Sequence, residues 1–254
     1  MGDGRKLNVT VWGDGEPAVF VHGSFGWGSE TWREQRPLAD DYRLLLVDRR
    51  GFGASPPDGR VDFERDAVDV AEVLGDGAHL VGHSYGGVVS LLAAARRPEA
   101  VRSLTVIEPP ALALAAGTPR VDEFIAGVAN AVQEAADPSD YRLRFLRNFG
   151  FPVDRDELEG IALEAARSSW HERSPAEAVI PFKRLRGVRT LVARGDWAAA
   201  PPSARERAAA VFHAVCDVLE RELDAESARF PAAHSPQLLG RPFNDRLRAF
   251  WESA

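Results

Sequence analysis

Gly82-His83-Ser84-Tyr85-Gly86 sets a serine between two glycines, after the apolar run Ala78–Val81 and before the apolar stretch that opens with Val88-Val89. A serine hydroxyl is a weak nucleophile until a neighbouring base takes its proton, and it must stand clear of the surrounding backbone to reach a substrate. A tight strand-to-helix turn does this, provided that positions 82 and 86 carry no bulk. G-x-S-x-G also occurs as an ordinary glycine-rich turn, but here a strand-like run and a helix-like run lie on the required sides. Ser84 is therefore the candidate nucleophile, and the chemistry it suggests is acyl transfer.

Two further stretches repeat the pattern of a strand-like run ending in reactive or small residues. Pro17–Val21 runs into His22-Gly23-Ser24-Phe25-Gly26, and Leu44–Val47 runs into Asp48-Arg49-Arg50-Gly51-Phe52-Gly53-Ala54-Ser55. Strand-then-HG, strand-then-DxRGxGxS and strand-then-GxSxG, in this order, resemble the α/β-hydrolase family. The resemblance extends over nearly the whole chain, although the middle third matches in composition and position alone. It implies that the base lies in the loop after the last strand. Of the six histidines, His22, His79, His83, His171, His213 and His234, that position belongs to His234, in Phe230-Pro231-Ala232-Ala233-His234-Ser235-Pro236. It also implies an oxyanion hole made by the N–H of Tyr85 and the N–H of Ser24 or Phe25, structural parts for His22 and Asp48, and no cofactor. Ser rather than Asp at position 84 disfavours the family members that attack with a carboxylate, the epoxide hydrolases and haloalkane dehalogenases.

The triad acid is the weak point of the resemblance. The family's usual G-x-x-D corresponds to Gly195-Asp196-Trp197-Ala198, with alanine in the acid position. A methyl group cannot accept the imidazole N–H or stabilise the imidazolium formed in catalysis. Three readings stay open. Glu108, at the end of the strand-like run before Pro109-Pro110, can supply the carboxylate; so can Asp196, two residues before the gap; or no acid exists, because the fold has been repurposed or the residue replaced.

The elements that must position these residues are legible as alternating runs. Strand-like stretches fall at 7–12, 18–21, 44–47, 78–81, 102–107, 188–193 and 227–230, and helix-like stretches at 30–39, 62–74, 85–97, 203–223 and 239–252. The alternation predicts an α/β fold, with a mostly parallel central sheet covered by helices on both faces. Such a sheet delivers His22, Ser84, Glu108, Asp196 and His234 to the carboxyl ends of its strands. Residues 109–186 contain no strand-like run and seven prolines, and read as a helical cap inserted between core segments 1–108 and 187–254. Trp27, Phe124, Phe145, Phe149 and Trp170 are the candidate lining of a pocket between cap and sheet, for a small apolar or aromatic molecule; Phe151 is a further apolar candidate.

Composition bounds the alternatives. A net charge of −7 lacks the basic stripe that nucleic-acid backbones demand. Cys216 is the only cysteine, so no intrachain disulfide is available. Neither a zinc-spaced Cys/His set nor a phosphate-cradling glycine loop occurs, so no metal site is expected. Met1–Lys6 lacks an apolar leader and no run has the length of a membrane span, which makes cytoplasmic the default, with no membrane partner and a homodimer allowed for. Three functions follow: a cofactor-independent serine hydrolase acting on an ester, lactone, thioester or ketone C–C bond; a lyase, cyclase or isomerase that uses Ser84 and His234 for proton transfer; and an inactive ligand-binding homologue.

Overall fold

The seven apolar runs pair into one sheet in the computed structural model, which describes residues 6–57 and 59–253. The strands are β1 (Val9–Trp12), β2 (Glu16–Val21), β3 (Tyr42–Val47), β4 (Ala78–His83), β5 (Val101–Ile107), β6 (Thr190–Gly195) and β7 (Glu226–Phe230), in the spatial order β1-β3-β2-β4-β5-β6-β7. β1 is antiparallel to β3, and the remaining pairings are parallel. Residues 1–5, on which the expectation of no leader rests, lie outside the described residues.

The helices are α1 (Gly28–Thr31), α2 (Phe63–Val73), α3 (Tyr85–Arg96), α4 (Pro119–Glu134), α5 (Pro138–Asn148), α6 (Gly160–Trp170), α7 (Phe182–Leu185), α8 (Pro202–Ala204), α9 (Ala210–Leu223) and α10 (Arg241–Glu252). Local chemistry sets several of their starts. Asp62 caps α2 by accepting the Glu64 N–H, Asp137 caps α5 through the Asp140 N–H, and Pro119 and Pro138 begin α4 and α5, where the missing N–H is harmless. No helix among the described residues is long and apolar enough to cross a membrane.

Alternation along the strands feeds two cores. Val19, Val21, Leu80, Leu104, Val106 and Val192 face α2, α3 and α9. Their neighbours Ala18, Phe20, Val81, Ile107, Leu191 and Ala193 join Trp32, Leu38 and the Phe243, Leu247 and Phe250 face of α10. A sheet buried on both faces has near-continuous apolar strands, which is why the runs stand out in the sequence. The connection from β2 goes to β3 on one side of it, and the chain then returns to β4 on the other. The carboxyl ends of β2 and β4 therefore flank a topological switch point.

Two helical expectations change. Residues 30–39 form α1 followed by a 3₁₀ stretch, Arg33–Asp40, containing Pro37, which has no N–H for an α-helical bond. The stretch 203–223 is divided by a π-helical turn at Arg205–Ala209, which neither glycine nor proline marks. At the elbow, by contrast, the sequence logic is visible in atoms. A Cβ on Gly86 would come within 2.3 Å of Val21 O, and one on Gly82 within 2.3 Å of Ser90 Oγ. Gly86→Ala is expected to lower stability by about 1–3 kcal/mol through this backbone collision, read as a shift of the urea midpoint. An unchanged midpoint would refute the close-packing argument.

Candidate active site

Ser84 joins β4 directly to α3 with φ 51° and ψ −126°, a conformation that costs a non-glycine residue about 1–3 kcal/mol. The turn is pinned from both sides: the Ser84 N–H donates to Ile107 O at 2.9 Å, and Ser84 O accepts the Gly87 N–H at 2.7 Å. Gly23 packs beneath it, where an added Cβ would lie 2.8 Å from Ser84 Cβ.

Against Ser84 stands His234. Its Nε2 lies 2.9 Å from Ser84 Oγ, and its Nδ1 lies 2.9 Å from Glu108 Oε2. A carboxylate accepts only, so Nδ1 carries the hydrogen toward Glu108 and the Nε2 lone pair faces the serine hydroxyl. Glu108 follows β5, with φ 43°, and its side chain is fully buried while that of His234 is 16% exposed. Its second oxygen, Oε1, accepts from Gly195 N and Trp197 Nε1, both at 2.9 Å. The carboxylate thus leaves water with three donors around it, as a buried charge requires.

Asp196 does not meet the imidazole. Its Oδ1 accepts the Ala198 N–H at 2.9 Å, closing a local turn, while its own N–H is held by Phe230 O. Ala198 is exposed. Of the three readings, the one with Glu108 has its carboxylate bonded to the imidazole, because β5 ends beside β4.

The other histidines fall into place. His83 Nε2 lies 2.9 Å from His234 O, and burial, aided by the nearby His234, pulls the His83 pKa down to about 3, so a neutral ring holds the base loop. His22 accepts the Arg49 N–H at Nε2 and donates from Nδ1 to Gly23 O at 2.7 Å. Burial, with the Arg49 charge, keeps it well below the usual imidazole range. His79 is packed in β4 against Trp251, His213 Nε2 is bonded to Gly195 O, and His171 is exposed. Asp48 fastens its turn by accepting from Gly28 N, Ala54 N and Asn8 Nδ2.

The loop after β2 is held by a polar cluster that the sequence reading missed. Arg49 donates to His22 O, Gly23 O, Asp66 Oδ2 and Glu172 Oε1. Ser24 Oγ donates to Glu172 Oε2, and the Phe25 N–H donates to Ser169 Oγ at 2.8 Å. Burial raises the Glu172 pKa against the pull of Arg49, and the same balance pushes Asp66 up to about 6.

A cavity of about 260 Å³ opens beside Ser84, Ser24 and Tyr85. Its apolar walls include Phe124, Val128 and Val132 from one face of α4, Tyr141 and Phe145 from α5 with Phe149 just past its end, and Phe212 from α9. Phe124, Phe145 and Phe149 were expected there; the i, i+4, i+8 spacing of each trio is the signal that would have added the rest. Trp27 lies outside this lining, and Trp170 borders an adjoining cavity that shares Val132 and Glu172 with it. Trp27 packs instead on Phe52, Val61 and Ala165, and Trp170 gives its indole N–H to Val132 O. Phe151 stacks on Trp197 instead of lining the cavity.

The family model described as "Alpha/beta hydrolase family" matches residues 18–246. A pimeloyl-[acyl-carrier protein] methyl ester esterase of Methylococcus capsulatus is 33% identical over 205 residues, covering 74% of this chain and 73% of its own. A 2-hydroxymuconate semialdehyde hydrolase of Pseudomonas is 32% identical over 202 residues, 71% of this chain and 65% of its own. The chain spans from 28% to 65% of the length of the first curated relatives that it matches. Among solved structures, the N-acyl homoserine lactone degrading enzyme Est816 superposes with a TM-score of 0.63 at 22% identity, covering 98% of both chains, a likeness of fold. With its sheet order, its serine elbow and a family match running almost from end to end, the chain belongs to the alpha/beta hydrolase family.

Proposed function

We propose that the chain is a cofactor-independent serine hydrolase acting on a small or medium carboxylic ester, lactone or thioester, or on a C–C bond beside a ketone, through an acyl group on Ser84. The unbroken relay from Ser84 Oγ through His234 to Glu108 carries this reading. His234 Nε2 takes the hydroxyl proton as Ser84 Oγ bonds to the carbonyl carbon, and Glu108 stabilises the imidazolium. The carbonyl oxygen, now an oxyanion, is received by the N–H groups of Tyr85 and Ser24, since that of Phe25 is given to Ser169. His234 returns the proton to the leaving group; water, deprotonated by the same ring, then releases the acyl group as an acid. Residues 109–186 act as a cap whose aromatic wall selects an apolar or aromatic acyl part. The relatives named above include an esterase and a hydrolase of a semialdehyde, so both bond classes belong in the substrate screen.

The lyase and binding-protein alternatives drew on the empty acid position at Ala198. With Glu108 opposite the imidazole, that support is removed. The test is intact-mass detection of fluorophosphonate labelling, which reports an activated serine without knowledge of the substrate. Rapid labelling of the native protein that is lost in Ser84→Ala and His234→Ala is expected; absence of labelling in a folded sample would sink the hydrolase reading. A second expectation concerns Trp197, whose indole N–H steadies Glu108. Trp197→Phe keeps a ring in the core and removes one charge-assisted hydrogen bond. It should lower kcat about tenfold with little change in KM.

A further inference from the structure

The loop proposed to bind the oxyanion is shaped by the helical segment above it as well as by the sheet that carries it. Phe25 sits at φ 63°, a left-handed conformation that a side chain disfavours unless something outside the loop holds it. Two hydrogen bonds do so, one from the last turn of α6 and one from the residues just after it. Ser169 Oγ donates its own proton to Ala165 O at 2.8 Å, so its rotor is fixed with a lone pair toward the Phe25 N–H. One turn on, Glu172 accepts the Ser24 hydroxyl on Oε2 and Arg49 on Oε1. Ser169 is 1% exposed and the Glu172 side chain 7%, so both acceptors are held within the packed interior beside the cavity. The Phe25 ring is closed in by Tyr141 and Phe145 of α5, with centroids 5.6 and 5.0 Å away.

These contacts have a directional consequence. The Phe25 N–H is taken by Ser169, while Arg49 holds the His22 and Gly23 carbonyls. The Ser24 N–H belongs to the same peptide as the Gly23 carbonyl, so that peptide is fixed at its carbonyl by Arg49 and His22 and at the following N–H by Ser169. We infer that Ser169 and Glu172 are positioning residues that aim the Ser24 N–H at the developing oxyanion, so that seating of the helical segment completes the oxyanion hole. This rests on the serine-hydrolase reading above, and neither residue is asked to touch the reacting atoms.

The experiment compares steady-state kinetics and boronic acid inhibition of Ser169→Ala, Ser169→Thr, Glu172→Gln and a control, Ser168→Ala. Ser168 belongs to the same helix and makes an equivalent bond to the core, to Gly51 O at 2.5 Å, but none to the oxyanion loop. Misplacing one donor is expected to lower kcat by about 10- to 100-fold in Ser169→Ala and Glu172→Gln, with KM within about threefold. Affinity for a boronic acid, whose tetrahedral adduct places an oxygen in the hole, should fall in parallel. Ser169→Thr should recover most of the rate, and Ser168→Ala should stay within about twofold of the native protein. Unchanged kcat in Ser169→Ala, or a loss confined to KM, would overturn the inference, as would an equal loss in Ser168→Ala. Should Glu172→Gln fail to fold, the Ser169 pair decides alone. Ester turnover that survives Ser84→Ala would instead overturn the hydrolase reading, leaving the two failures distinct.

Discussion

Ester turnover by Ser84→Ala is expected to fall about 10⁶-fold, to the level that binding and residual polar groups sustain without a nucleophile. The size follows from the geometry: Ser84 Oγ is the only hydroxyl bonded to His234 Nε2 among the described residues, and the strained turn that presents it has no neighbouring substitute. His234→Ala should cost a similar factor, and the double variant little more than either single one, because the two residues act as a unit. Measured on a panel of p-nitrophenyl esters, multiplicative losses in the double variant would argue against a shared proton relay. The fold should be untouched, since alanine keeps the Cβ at φ 51° and loses only the hydroxyl.

The second large effect concerns the acid. Glu108→Gln is expected to lower kcat about 10³- to 10⁴-fold, because an amide facing His234 Nδ1 can donate, favour the wrong tautomer and leave the imidazolium without a counter-charge. The same substitution places an amide among donors from Gly195 and Trp197, so part of any loss in thermal stability belongs to that mismatch. Asp196→Asn, by contrast, should leave kcat within about twofold and weaken only the turn at Ala198. A large loss at Asp196 with a mild one at Glu108 would reverse the assignment.

The comparison with the sequence is instructive at the level of particular residues. Ser84 is legible because an elbow needs glycines at fixed offsets, and His234 because one loop lies between the last strand and the last helix. Glu108 is one of two candidate acids beside a reading with none, since the choice depends on lateral pairing. The register that sets His83 against Ile107 is invisible in a linear pattern, yet it puts position 108 beside the nucleophile. Trp27 lies outside the cavity lining for a related reason: a large ring in the right segment says nothing about which side of it faces the cavity. Ser169 and Glu172 lie 144 and 148 residues from their partners Phe25 and Ser24, in a stretch with no motif, and only the folded chain brings them together.

The β4–β5 ladder also has a bearing on how activity should fail on heating. Nucleophile and acid are carried on adjacent central strands, tied across by the Ser84 N–H to Ile107 O bond and onward by the Glu108 N–H to Ala193 O bond. Their separation is as durable as the sheet itself, whereas the base rides on a loop held by a few single hydrogen bonds, from His83 to His234 O, from Ser84 to His234 Nε2 and from Trp197 N to Ala232 O. Local openings of such a loop need far less free energy than separation of core strands. The molecule therefore contains a rigid frame with a single joint, and reversible loss of activity below the melting temperature would trace the excursions of residues 231–235 while nucleophile and acid kept their spacing.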